Sequence, residues 1–117
     1  MVPLQEIDVH TDRKAFFKLH IVSPTKAAPF IPEVLVYDQD FSPPYQMSVA
    51  FPQQFPTAPD AFEHALSWVI TYCQRLSYKI IRINNPCNCE FLDHVPDQQA
   101  IVSRHGLAVQ VEKNGQT

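Results

Sequence analysis

The stretch Thr57–Ser77, TAPDAFEHALSWVITYCQRLS, decides the fold, because it is the one long segment with a clear helical pattern. Its apolar residues recur at three- and four-residue steps, which places them on one face of a helix. These residues are Phe62, Ala65, Leu66, Val69, Cys73 and Leu76. Thr57 is a suitable N-cap, Pro59 fits the first turn, and Asp60 puts its charge at the positive end. The sequence therefore predicts a long helix over about 58–77.

Shorter segments on both sides of this helix alternate in polarity, as half-buried β-strands do. We expect strands at 4–10, 14–22, 33–37, 45–51, 79–83 and 107–111. Residues Arg13–His20 can alternatively be interpreted as a short helix. In the strand after the long helix, Ile81 and Ile83 are expected on one face. A second, short helix is predicted at about 97–105, where Gly106 ends it.

The resulting order is β-β-β-β-α-β-α-β, which predicts an α+β fold. Short connections between the early strands favour a mostly antiparallel sheet of five to six strands, with the long helix on one face. The strands before and after that helix could be parallel neighbours across a right-handed crossover. A length of 117 residues fits one domain over 1–117, with a frayed tail at about 113–117.

The composition is aromatic and poor in charge, with eight Phe, four Tyr, one Trp and 18% charged residues. Such a chain folds, and it can leave apolar surface for a protein partner or a second copy. The net charge is −3 and no basic run is present, so nucleic acid is not a favoured partner. The two glycines are isolated, which excludes the glycine-rich loops that hold nucleotides.

The cellular location is inferred from what the sequence lacks. The first ten residues, MVPLQEIDVH, do not resemble a signal peptide, and no stretch approaches the roughly 18 apolar residues of a membrane helix. Three cysteines do not form a secreted disulfide pattern. We therefore expect a cytoplasmic protein with free thiols and no membrane association.

The candidate metal site is Cys87, Cys89 and His94, because two thiols and an imidazole within eight residues are the ligands that zinc prefers. Glu90, Asp93 or the distant His105 could supply a fourth ligand. The C-x-C spacing fits the usual structural zinc pattern poorly, so a turn whose cysteines pack under the core is the alternative.

Catalysis is less well supported than binding. Cys89 and His94 could act as nucleophile and base, but the sequence indicates neither an oxyanion hole nor an orienting third group. Cys73 lies on the apolar helix face, where a thiol is usually inert packing. His10 and His20 could lie side by side on two paired strands. We therefore favour a non-enzymatic protein.

The leading hypothesis is a protein-interaction or regulatory module that associates with itself. Its interface candidates are Trp68 and Tyr72 on the flank of the helix, and Phe41 and Tyr45 around Pro43-Pro44. The same four residues could instead be ordinary core. The alternatives are a metal or thiol protein, and a nucleic-acid-binding domain that uses an aromatic sheet face with Lys18, Lys79 and Arg82. The strand aromatics are expected to alternate inward, which disfavours the last alternative.

Overall fold

The structure is a computed structural model that describes residues 3–25, 27–85 and 95–113. Its elements follow the predicted order, which confirms the α+β class. They are β1 (Pro3–Thr11), β2 (Ala15–Val22), β3 (Ile31–Asp38), β4 (Tyr45–Ala50), α1 (Ala58–Leu76), β5 (Ile80–Asn85), α2 (Val95–Arg104) and β6 (Val111–Lys113). The strand β2 replaces the alternative short helix at 13–20. The predicted frayed tail lies, except for its first residue, outside the described residues.

The six strands form one sheet in the order β4-β3-β2-β1-β5-β6. All neighbours are antiparallel except β5 and β6, so the mostly antiparallel sheet is confirmed. The suggestion that β4 and β5 are parallel neighbours is wrong. The first four strands form a meander with β1 at one end and β4 at the other. After α1 the chain returns to place β5 beside β1.

The long helix α1 begins and ends as its sequence predicts. The Thr57 hydroxyl accepts a hydrogen bond from the Asp60 amide at 3.2 Å, and Ser77 ends the helix in the left-handed conformation with φ 58°. The helix lies over β2 and β3 and covers one face of the sheet. Its buried residues are Ala58, Ala61, Phe62, Ala65, Leu66, Val69 and Cys73. Leu76 is only half-buried.

The core lies between α1 and the inward positions of the strands. Fully buried strand residues include Ile7, Val9, Phe17, Leu19, Ile21, Val34, Val36 and Ile83. In β5, Ile80 is buried while Ile81 is 52% exposed, so the prediction that Ile81 and Ile83 share a face is wrong. An irregularity in the β1–β5 register, between His10 and Thr11, shifts the alternation at this point.

The last strand is shorter and later than predicted, since β6 covers Val111–Lys113 and not 107–111. The helix α2 ends before Gly106, which has φ 79°. The Gln99 side chain then donates to the Val109 carbonyl at 3.2 Å and accepts from the Val111 amide at 2.8 Å. These backbone groups are therefore satisfied by a side chain rather than by a neighbouring strand.

The two helices contact each other through charged side chains. Arg104 at the end of α2 donates to the Glu63 carboxylate of α1 at 2.5 Å, and His105 lies 3.2 Å from the same oxygen. Neither α1 nor α2 is long and apolar enough to cross a membrane.

Candidate functional site

The four predicted interface residues lie together at one side of the molecule. The rings of Phe41 and Tyr45 meet edge to face at 5.2 Å, and those of Trp68 and Tyr72 stack at 5.5 Å. The hydroxyls of Tyr45 and Tyr72 are in direct hydrogen-bonding contact, which joins the two pairs. We call Phe41, Tyr45, Trp68 and Tyr72 the aromatic cluster. Residues up to 31 positions apart in the chain thus form one continuous surface.

The aromatic cluster is neither buried core nor fully exposed surface. Phe41 is 41% exposed, whereas Tyr45, Trp68 and Tyr72 are half-buried and pack against the core. Met47 of β4 lies beside them and is 38% exposed, although its partner Val36 on β3 is completely buried. The difference arises because α1 contacts mainly β2 and β3, so the middle of β4, where Met47 lies, stays accessible.

A groove of about 330 Å³ lies on the exposed flank of α1 next to β4. It is lined by Phe51, His64, Ser67, Trp68, Thr71, Tyr72 and Arg75. The imidazole of His64 packs edge to face on Phe51 at 4.9 Å. The groove combines aromatic walls with hydroxyls, the His64 imidazole and the Arg75 guanidinium, so it suits apolar side chains with polar neighbours.

A buried carboxylate holds the tyrosines of the aromatic cluster in place. Asp38, the last residue of β3, is fully buried. Tyr72 donates to it at 2.7 Å and Tyr78 donates at 3.2 Å, while the Asp40 amide donates at 3.1 Å. Since Tyr72 donates to Asp38, its oxygen accepts from Tyr45. The carboxylate therefore fixes the C-terminal end of α1 against the β3–β4 edge.

This environment favours the neutral form of the tyrosines. Burial, together with the contacts to Tyr45 and Asp38, raises the pKa of Tyr72 far above its ordinary value. Burial and the nearby Asp38 charge raise the pKa of Tyr78 to about 12. Both hydroxyls thus remain hydrogen-bond donors at neutral pH, and neither is activated as a nucleophile or base.

The zinc hypothesis is not tested, because Cys87, Cys89 and His94 lie outside the described residues. Within the described ranges, no three His, Cys, Asp or Glu side chains come together as a metal-binding group. His105, the candidate fourth ligand, contacts Glu63.

The remaining thiol and histidine hypotheses can be compared with the structure directly. Burial raises the pKa of Cys73 to about 12, which agrees with its interpretation as packing. His10 and His20 are not side by side. His10 is opposite Phe16 and His20 is opposite Glu6, with three residue pairs between them.

The sheet face away from α1 bears on the nucleic-acid alternative. Contrary to expectation, strand aromatics do lie there: Phe16 stacks on Tyr37 at 4.7 Å. Two of the cations named for this alternative are paired, however, since Lys18 lies 2.9 Å from Glu6 and Arg82 lies 2.7 Å from Glu112. Binding to a phosphate backbone requires a basic surface, and this face is not basic.

Sequence reasoning missed Asp38 and Met47. Asp38 continues the alternation of β3 at an inward position, so its burial can be predicted from that pattern. Its partners Tyr72 and Tyr78 lie far away in the chain, so no local pattern predicts them. Met47 lies opposite the buried Val36, and only the position of α1 shows that it stays exposed.

The chain was compared with models of protein families, with curated proteins and with solved structures, and none of the three comparisons gives a significant match.

Proposed function

We propose that this protein is a non-enzymatic interaction module that associates with itself through the surface formed by the aromatic cluster and β4. The observation that carries the proposal is the continuous contact of Phe41, Tyr45, Tyr72 and Trp68 at an incompletely covered edge of the core. Partly exposed aromatic side chains in contact with one another are typical of the residues that dominate binding energy in interfaces.

The charges of this surface support the same function. No Asp, Glu, Lys, Arg or His occurs in β4, YQMSVA, and the Asp38 carboxyl behind it is buried and hydrogen-bonded. Burying the surface therefore requires little desolvation of charge. Two of the three large hydrophobic residues that are exposed within the described ranges, Phe41 and Met47, belong to this surface. The proposed setting is the cytoplasm, where Cys73 would stay reduced.

Trp68 is the single tryptophan of the chain, so its fluorescence reports directly on the proposed surface. Sedimentation velocity of the full chain over a wide concentration range should show association, and the Trp68 emission should shift over the same range. Replacement of Phe41 by serine should weaken the association by about tenfold or more, as expected for loss of an aromatic anchor.

The matched control is Ile81→Ser, which removes an apolar side chain that is at least as exposed from a different part of the sheet. It should leave the association unchanged. A chain that remains monomeric at every concentration, with constant Trp68 emission, would contradict the proposed self-association.

A further inference from the structure

The strand β4 is an edge strand without the usual protection against pairing. It stands at one end of the sheet, and its register with β3 runs from Glu33–Ala50 to Asp38–Tyr45 without a bulge. Edge strands are commonly shielded by charged side chains, bulges, prolines or very short length. The six residues of β4 have neither charge nor proline, although Pro44 and Pro52 flank the strand. Among the residues that the structure describes, no strand lies on its outer side, so its outer backbone groups can pair with another strand.

We propose that the partner of this strand is β4 of a second copy, paired antiparallel about a two-fold axis at Met47. This inference rests on the proposed function and specifies its geometry. The two sheets would join into one twelve-stranded sheet, and the interface would be the same on both copies, as two-fold symmetry requires.

The sequence of β4 is compatible with its own copy. Pairing about Met47 places Met47 opposite Met47, Tyr45 opposite Val49, and Gln46 opposite Ser48. Aromatic side chains opposite β-branched ones are favourable cross-strand pairs, and neutral polar pairs do not repel. Each chain has a net charge of −3, so two copies repel each other at long range, but no like charges meet within the paired strands.

The position of α1 leaves room for this pairing. A two-fold axis perpendicular to the sheet puts both copies of α1 on the same face. Because α1 lies over β2 and β3, and neighbouring strands are about 4.8 Å apart, the two helix axes would be roughly 19 Å apart. Packed helices approach to about 8–10 Å, so the helices do not collide. The space between them lies above Met47 and would be lined by Trp68 and Tyr72 from both copies.

A disulfide tests the position of the axis. Directly opposed residues in an antiparallel pair have Cα atoms about 4.5 or 5.5 Å apart, and both distances suit a disulfide. Met47→Cys, in a chain with Cys87 and Cys89 replaced by serine, should therefore form a disulfide-linked dimer of two copies when oxidised glutathione is added as the oxidant. Position 81 is more exposed than position 47 but lies on β5. Ile81→Cys in the same background should therefore form at least about tenfold less covalent dimer. Circular dichroism verifies that both variants are folded.

The results separate this inference from the proposed function. If the unmodified chain associates but Met47→Cys forms no more covalent dimer than Ile81→Cys, the strand pairing is wrong while self-association stands. If the unmodified chain is monomeric, the proposed function fails and the pairing fails with it. Preferential formation of the Met47→Cys dimer, reversed by a thiol reductant, supports the pairing.

Discussion

The sheet ends in β4 on one side and in β6 on the other, and the two edges are built differently. β6 has three residues, Val111–Lys113, and Glu112 within it binds Arg82 of β5 at 2.7 Å. β4 has six residues and no charge, and its neighbours are aromatic. Short length and charge are the features by which proteins keep sheet edges from pairing. The β6 edge has both features and the β4 edge has neither, so we expect further strands to add at β4.

The two sides also use different polar contacts. Near β4, three tyrosines and a buried carboxylate form a hydrogen-bonded network around Asp38. Near α2 and β6, the charged contacts are the exposed ion pairs Glu63–Arg104 and Arg82–Glu112. Hydrogen bonds to a buried charge are strong and insensitive to salt, whereas exposed ion pairs are weak and screened. The two sides should therefore respond differently to mutation, pH and salt.

The largest effect is expected for Asp38→Ala, which leaves two tyrosine hydroxyls without their buried acceptor. We expect a loss of about 2–4 kcal/mol in the free energy of unfolding, measured by urea denaturation. The control is Asp40→Ala, because Asp40 lies 3.8 Å from Arg13 in an exposed pair. It should cost less than about 1 kcal/mol. Equal losses for both variants would show that the Asp38 network does not stabilise the β4 side.

The second expected effect concerns association and not folding. Met47→Lys gives β4 the kind of charge that protects an edge, and two such charges would face each other in the proposed pair. The dissociation constant measured by sedimentation should rise at least about 100-fold. The unfolding free energy of the monomer should change by less than about 0.5 kcal/mol, since Met47 is 38% exposed. An unchanged dissociation constant would remove β4 from the interface.

A smaller effect is expected on the α2 side as the pH falls. The hydrogen bond from Arg104 is the main reason that the pKa of Glu63 lies below its ordinary value of 4.5. A carboxyl group whose pKa is lower in the folded chain stabilises the folded state at any pH above its pKa in the unfolded chain. This stabilisation is lost as the pH falls through the pKa of the folded chain. Glu63→Gln should therefore lower stability by about 0.5 kcal/mol at neutral pH and have less effect in acid. Thermal melts from neutral pH to about pH 3 would show this convergence. A constant difference would contradict it.

The smallest effect is expected for Glu112→Gln at the β6 edge. Arg82 is well exposed, so loss of its ion pair should cost less than about 0.5 kcal/mol and should vanish in high salt. Thermal melts at low and at high salt measure the size of this loss and its dependence on salt. A loss as large as that of Asp38→Ala would mean that the two edges do not differ in the way described.

The alkaline limit distinguishes the β4 side further. The pKa of Tyr78 is raised to about 12 in the folded protein. Its contribution to the free energy of unfolding is therefore fully present below the pKa that Tyr78 has in the unfolded chain, and it is lost as the pH rises through about 12. Nearby Tyr72 is shifted in the same direction. The β4 side should thus keep its hydrogen bonds at a pH at which exposed tyrosines ionise.

Much of the fold could be predicted from the sequence because its signals are local. The period of α1, the Thr57 cap and the alternation of β1 to β4 depend on residues within a few positions of one another. The errors occur where a distant contact overrides the pattern. The β1–β5 irregularity turns Ile81 outward, and the Gln99 side chain occupies backbone groups that a longer β6 would use. The candidate zinc ligands Cys87, Cys89 and His94 remain a prediction from the sequence.

By itself the sequence determined the elements, their order and the four aromatic residues worth attention, since composition and periodicity are properties of the chain alone. The tertiary structure decided that Phe41, Tyr45, Trp68 and Tyr72 meet, that Asp38 is buried behind them, and that β4 is an edge. These facts depend on which strands pair and where α1 lies across them. Such choices are made by contacts between residues far apart in the chain, which no local pattern records.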